Sequence, residues 1–261
     1  MTILVLCARG KTGSRLCSLL EAANISFLAA MRSPSVSSNY PNCHFDWMDS
    51  TTYENPFCVF SDLEMTAISA VYLIHPPSTD AIGSHLNNFI DVARSNGVKR
   101  FVLLSASNIE KGGPAMGKAH EHLACSREIE YVVLRPTWFM QNFSEGEHLQ
   151  SIRDDNTIIT AAGEGKIPFV SVEDIARVAF HALTDEKVHS DEYHIGGPEL
   201  LSYDQVSELQ FFFKPDIPEP IPGGTTLKLT VKDREYPHKS PRPENLSLKP
   251  RWEGICPASH S

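Results

Sequence analysis

The chain has 261 residues, 41% of them hydrophobic, and its 23 Lys+Arg against 32 Asp+Glu give a formal net charge of −9. This is an ordinary soluble composition, and an acidic chain without a basic block excludes nucleic acid and anionic membrane, both of which demand Lys/Arg clusters. No apolar run approaches the ~18 residues that span a bilayer, and six scattered Cys with no CxxC point to a reducing, cytoplasmic setting.

Short apolar runs alternate with amphipathic stretches through residues 1–209, the pattern of βαβ units around a parallel sheet. Strands are expected at Thr2–Leu6, Ser26–Ala30, Cys43–Trp47, Ile68–Ile74, Arg100–Ser105 and Glu130–Leu134, since strands covered on both faces read as apolar runs. Helices are expected between them. Gly13–Ala23 places Leu16, Leu19, Leu20 and Ala23 on one face, and Asp80–Asn96 does the same with Leu86, Phe89, Ile90 and Ala93 before Gly97 caps its end. Glu173–Thr184 carries a stripe of Ile175, Val178, Ala179 and Ala182, with Ser171 and Asp174 as its capping pair. The fold class is therefore α/β, a Rossmann-like doubly wound parallel sheet.

A seam follows. Nine of the 18 Pro fall in 1–209 and nine in the 52 residues 210–261, and charge divides as −11 and +2 across the same point. Beyond Phe211 the helical period is lost, because Pro removes a donor and clashes with the preceding turn. Leu227–Val231 is expected as a short strand and the remainder as irregular. The expected organisation is a dinucleotide-binding domain over 1–209, ending in a small and incomplete substrate lobe, and a Pro-rich tail over 210–261.

The first strand runs into Cys7-Ala8-Arg9-Gly10-Lys11-Thr12-Gly13 and then a helix. Glycines at such a turn let backbone N–H groups approach a pyrophosphate at the positive end of the helix. The spacing is G-x-x-G-x-x-G with Cys7 in the first glycine's place, so Gly10, Lys11, Thr12 and Gly13 are the expected phosphate-binding set. The second strand ends at Arg32-Ser33, where an acidic residue would suit NAD and a guanidinium beside a hydroxyl suits the 2′-phosphate of NADP(H). The alternative for Arg32 is a solvated surface charge. Asp46-Trp47 offers either an adenine contact or a core tryptophan.

Thr2–Leu6 with Arg9–Thr12, Ser69–Leu73 (SAVYL), Arg100–Asn108 (RFVLLSASN), Tyr131–Phe143 (YVVLRPTWFMQNF), Gly165–Phe180 (GKIPFVSVEDIARVAF) and Gly197–Val206 (GPELLSYDQV) are long, specific stretches. Through them the chain resembles the agroclavine/festuclavine dehydrogenases of fungal ergot alkaloid biosynthesis, in the NmrA-like group of atypical short-chain dehydrogenases. The resemblance covers about four-fifths of the chain and stops after Leu209. It implies an NADP(H)-dependent oxidoreductase acting on a small indole alkaloid. In that family the cyclic iminium formed from chanoclavine-I aldehyde is reduced to agroclavine or festuclavine. Cys7-Ala8 departs from the family's Gly-Gly. The break at 209 fits a shifted reading frame, a misread intron or a diverged end. Two rival readings are a non-catalytic NADP-binding regulator and an inactive product of a frameshifted gene.

Short-chain dehydrogenases protonate a carbonyl oxygen from Tyr in a Tyr-x-x-x-Lys pair, and none of the seven tyrosines here has Lys four residues on. Iminium reduction needs no such donor, because hydride addition to C=N⁺ neutralises a charge. Candidate pocket residues lie after the strand carboxyl ends, where open α/β sheets bind ligands: His75-Pro76 after the fourth strand and Ser105 after the fifth. Pro136–Met140 is either an aromatic stacking run or a buried helix start. His120 is the candidate polar group for substrate or nicotinamide, against the alternative of a partly exposed helix histidine. His120, His122 and Cys125 do not make a metal-ligand pattern.

Overall fold

The computed structural model describes residues 1–34, 40–58, 66–76, 81–146, 148–155, 157–186, 191–208 and, for its backbone, 230–233. Seven parallel strands form one sheet in the order β3-β2-β1-β4-β5-β6-β8. They are β1 (Thr2–Val5), β2 (Phe27–Met31), β3 (Asn42–His44), β4 (Ile68–Leu73), β5 (Arg100–Leu104), β6 (Glu130–Pro136) and β8 (Asp191–Ile195). The chain reverses direction of winding between β1 and β4, so their carboxyl ends open a crevice at the topological switch point.

Alternation along the strands feeds two cores. Leu4, Leu6, Leu28, Val71 and Leu73 face one side, where α3 (Ile82–Ser95) and α4 (Met116–Cys125) contribute Leu86, Phe89 and Leu123. Ile3, Val5, Ala29, Tyr72 and Val102 face the other, against Leu16 and Leu20 of α1 (Lys11–Ala22) and Ile175 and Ala179 of α6 (Val172–Thr184). Helices on both faces of a parallel sheet are what the apolar strand runs require.

The expected elements are found with shifted ends. Helix α1 starts at Lys11 rather than Gly13, because Gly10 supplies the extended N-cap. Strand β3 ends at His44 rather than Trp47: Phe45 and Trp47 leave the ladder to join an aromatic cluster with Tyr53 and Phe89, centroids 5.0–5.8 Å apart. A short α2 (Asn55–Cys58) follows β3. Asp80, expected in a helix, lies outside the described residues, and Gly97 takes the left-handed φ of 88° just past α3. Ser171 caps α6 by accepting from the Glu173 amide, whereas Asp174 stands in the first turn and pairs with Arg177 at 3.6 Å.

A smaller core of Phe143, Ile152, Ile158, Phe169, Tyr203 and Val206 gathers α5 (Leu149–Asp155), β7 (Thr157–Thr160) and α7 (Tyr203–Glu208) beside the main sheet. Strand β9 (Thr230–Asp233) pairs with β7 in parallel and overlaps the strand expected at Leu227–Val231. The rest of 210–261 lies outside the described residues.

The β5–α4 loop carries a backbone irregularity. Ala115, before α4, has φ 52° and ψ −118°, a conformation that suits glycine. It is held there by the Gly112 amide on Gly117 O at 2.8 Å and by the Lys118 amide on Ala115 O. Such strain costs on the order of 1–3 kcal/mol, partly offset in Ala by the larger chain entropy glycine loses. Ala115→Gly is accordingly expected to stabilise the protein by about 1 kcal/mol, seen as a higher urea midpoint at unchanged slope.

Candidate functional site

The turn after β1 is built around Cys7. Its φ is 49°, its carbonyl accepts from the Gly10 amide at 2.7 Å, and its Sγ donates to Ile74 O at 3.3 Å. The Ile74 carbonyl also accepts from Trp47 Nε1 at 2.9 Å, so one oxygen at the end of β4 joins the β1 turn to the β3 exit. Burial pushes the Cys7 thiol up to about 11, which makes it an inert packing group rather than a nucleophile. A Cβ on Gly13 would stand 2.5 Å from Cys7 O. The first turn of α1 thus lies directly on the strand turn, and a helix start leaves its first amides without intrahelical partners.

A cavity of about 390 Å³ opens over this turn, lined by Cys7, Arg9, Gly10, the β2 end Ala30–Ser33, Phe45–Met48 and Pro76. Arg9 and Arg32 supply cationic donors, Ser33 a hydroxyl, and Trp47 an aromatic wall. The chemistry of that set fits the phosphorylated adenosine half of a dinucleotide. Trp47, left open between adenine contact and core, is a core residue at 4% exposed, and one edge of it also lines the cavity.

His75 follows β4 behind that wall, its ring tilted on Trp47 with centroids 4.8 Å apart. Nδ1 lies 2.6 Å from Pro76 O, which can only accept, so Nδ1 carries the hydrogen. Nε2 then accepts from His85 Nδ1 at 3.1 Å. Burial lowers the His75 pKa, keeping the ring neutral near pH 7.

The other sequence candidates are distributed more widely. Lys11, Thr12 and Gly13 occupy the first turn of α1 beside the cavity rather than in its wall. Ser105 is buried at the end of β5, its amide on Leu134 O at 2.8 Å. His120 is 4% exposed on α4, its Nδ1 3.8 Å from Glu192 Oε2 of β8, and does not line the cavity. Desolvation lowers its pKa, against the opposing pull of Glu192.

Two arrangements have no local sequence signal. Arg135, 1% exposed, binds Glu110 at 2.5 Å, Glu192 at 2.7 Å and Ser107 O at 3.0 Å, pinning the segment after β5. Glu110's carboxyl is held below its usual range by that guanidinium. In the second, Lys11 Nζ donates to Asn142 Oδ1 at 2.6 Å and Arg15 pairs with Glu145 and Glu173, tying α1 to the segment after β6 and to α6. Trp138, from the aromatic run, is 46% exposed, while Phe139 and Met140 pack into the two adjacent cores. Among the described residues no group of three or more His, Cys, Asp or Glu is arranged to hold a metal, and no helix is long and apolar enough to cross a membrane.

A family model described as NAD(P)H-binding matches residues 7–186. Festuclavine synthase I of Penicillium roqueforti is 51% identical over 209 residues, 80% of this chain and 72% of that one. Agroclavine dehydrogenase of Claviceps fusiformis is 47% identical over 211 residues, with the same two shares. The chain belongs to the festuclavine/agroclavine dehydrogenase family of NAD(P)H-binding oxidoreductases. Solved structures agree on the fold of that family. Triphenylmethane reductase of Citrobacter sp., complexed with NADP(H), superposes with a TM-score of 0.62 at 22% identity, covering 81% of this chain and 75% of that one. An NADPH-dependent quinone oxidoreductase of Escherichia coli, complexed with NADPH, gives 0.65 at 20%, covering 90% and 78%.

Gly13→Ala forces its Cβ onto a backbone carbonyl that cannot turn aside, and is expected to cost about 1–3 kcal/mol in denaturant unfolding. Burial holds the pKa values of His75 and His120 in the folded protein below the ordinary histidine value of 6.5. The unfolded chain therefore binds more protons below that pH, and stability falls as pH drops through about 6.5 toward the folded values. His75→Gln should flatten that part of the stability–pH curve.

Proposed function

We propose that this chain uses NADPH to reduce the cyclic iminium formed from chanoclavine-I aldehyde to agroclavine or festuclavine, the reverse being oxidation of the clavine with NADP⁺. The observation that carries the reading is that Arg32, Ser33 and Arg9 line one cavity at the end of β2, in a chain 51% identical over 209 residues to a festuclavine synthase. A guanidinium beside a hydroxyl suits a 2′-phosphate, where a dehydrogenase for NAD would carry a carboxylate.

On this reading Gly10, Lys11, Thr12 and Gly13 receive the diphosphate on the α1 N-terminus, and Arg32 and Ser33 hold the 2′-phosphate. Trp47, buttressed by His75, and Pro76 form the wall for the adenosine half. Bound NADPH supplies a hydride to the iminium carbon. The protein contributes placement and exclusion of water, the means by which a unimolecular geometry replaces a chance encounter. Ser105 lies toward the nicotinamide half, since it ends the strand next to β4. His120 acts from α4 on that same side, as a polar group backed by Glu192. The substrate is a small indole alkaloid cation, in keeping with the −11 charge of residues 1–209. Residues 1–209 are the binding and catalytic unit, and the setting is cytoplasmic.

The test is turnover of the purified chain with NADPH and the cyclised aldehyde, followed by NADPH consumption and product mass. Binding of NADPH without consumption would leave a non-catalytic NADP-binding protein and overturn the enzyme reading. Loss of the charged contact in Arg32→Ala is expected to raise the NADPH Kd about 10- to 100-fold while leaving the NADH Kd unchanged.

A further inference from the structure

The cavity wall formed by Trp47 and Pro76 is backed by two histidines from different elements. His75 follows β4 and is buried, and His85 stands half-buried in the first turn of α3. Their rings stack with centroids 5.3 Å apart and 21° between planes, and His75 Nε2 lies 3.1 Å from His85 Nδ1. His75 in turn packs on Trp47 and holds the Pro76 carbonyl, and both of those residues line the cavity. Neither histidine lines it directly.

Of the four ring nitrogens, three are committed: His75 Nδ1–H to Pro76 O, and His75 Nε2 to His85 Nδ1–H. His85 Nε2 remains. A proton added there leaves the bond between the rings in place and makes it charge-assisted. A second proton has no such site, because it would set two N–H groups against each other at 3.1 Å. The pair can therefore take up one charge without moving Trp47 or Pro76. Several groups oppose that charge. Arg9 and Arg32 line the cavity, the Lys118 side chain of α4 lies on Gly83, and the first turn of α3 is the positive end of a helix. Asp46 is the one carboxylate among the lining residues, and burial keeps the Cys7 thiol neutral. An anion in the cavity offsets this excess of positive charge.

We propose that His85 is a positioning residue that sets the cavity wall through His75, and that protonation of the His75–His85 pair and binding of a phosphorylated nucleotide in the cavity favour each other. The inference rests on the dinucleotide reading above and adds a pH dependence to it. Protonating the pair strengthens the hold on the anion as pH falls from 7.5 to 6.0, and by linkage the anion strengthens the hold on the proton by the same factor. His85 touches neither the cofactor nor the reacting atoms. It acts through His75.

The test needs no alkaloid. NADP⁺ is the probe, with its Kd measured by calorimetry at pH 7.5 and 6.0. Its 2′-phosphate titrates in the same range but is common to every variant, so the quantity compared is each protein's ratio of Kd at pH 6.0 to Kd at pH 7.5. His85→Leu removes the donor to His75 and should raise the Kd at pH 7.5 about fivefold. His85→Asn places a non-titrating amide donor near the position of Nδ1 and should rescue that loss. Its Kd ratio should nevertheless be about threefold larger than the wild type's, the effect of one charge behind the wall. In two buffers of different ionisation enthalpy at pH 6.5, the wild type should take up about a quarter of a proton more than His85→Asn on binding. Equal Kd ratios or equal proton uptake in these two proteins would overturn the linkage, and a His85→Leu Kd equal to the wild type's would overturn the positioning role. Either result leaves the oxidoreductase reading standing. Should His85→Leu fail to fold, the wild type and His85→Asn decide. A wild type that binds no NADP⁺ at either pH would overturn both readings.

Discussion

The close approach of α1 to the β1 turn is the constraint on which the rest of the site depends. Gly13 has no room for a Cβ against Cys7 O, and that contact sets where the helix begins and how it meets the sheet. With the first turn of α1 seated there, Leu16 and Leu20 reach the core under β1, and the amides that a helix start leaves without intrahelical partners lie just past the β1 turn. The cavity over the turn is then bounded by whatever ends β2 and β3, which is where Arg32 and Trp47 stand. Cys7 occupies the left-handed position that glycine would fill without strain. Its thiol is tied to the Ile74 carbonyl and half-buried against the core, so part of the backbone cost is offset by packing that glycine would forgo.

Buried charge has a comparable role on the far side of the sheet. Taking Arg135 out of water is costly unless its donors are satisfied, and two carboxylates with two main-chain carbonyls satisfy them. The arginine thereby fixes the backbone of Ala106 and Ser107, the residues just past β5, and links them to β8 through Glu192. Such a pair adds little net stability, but removing one partner would leave an unpaired charge in the interior. Its contribution is to geometry: it ties the loop that ends the fifth strand to β8.

The central strands were legible because a strand covered on both faces must be apolar whatever its neighbours are. Asp191-Glu192-Tyr193-His194-Ile195 escaped that rule. As β8 it pairs only with β6 among the described residues, keeps Asp191 and His194 exposed, and reads as a loop. The position of the glycine turn after β1 and of Arg32 at the cavity was legible for a related reason: each is a local motif at the carboxyl end of a recognisable strand. The Lys11–Asn142 contact, 131 residues apart in sequence, and the Arg135 network had no such signature. Nothing in a lysine or an arginine read alone tells a solvated cation from one held by the fold, and only the topology brings their partners near.

The tyrosines bear on what chemistry such a frame can perform. Tyr53 donates its hydroxyl to Trp47 O, and burial pushes its phenol up to about 12. Tyr72 is completely buried, its hydroxyl near Thr12 but outside hydrogen-bonding geometry, and its pKa is raised as well. Tyr131 precedes by four residues not a lysine but Arg135, whose guanidinium is already committed to Glu110 and Glu192. A phenol becomes an effective acid when a nearby cation stabilises its anion, and burial does the opposite. Reduction of a ketone would leave an oxyanion with no activated phenol in the usual pairing to protonate it. Addition of hydride to an iminium leaves a neutral amine, so the charge disappears in the step itself and an acidic protein surrounding the cation requires no compensating donor. The absence of the Tyr–Lys pair therefore narrows the substrate class rather than arguing against catalysis.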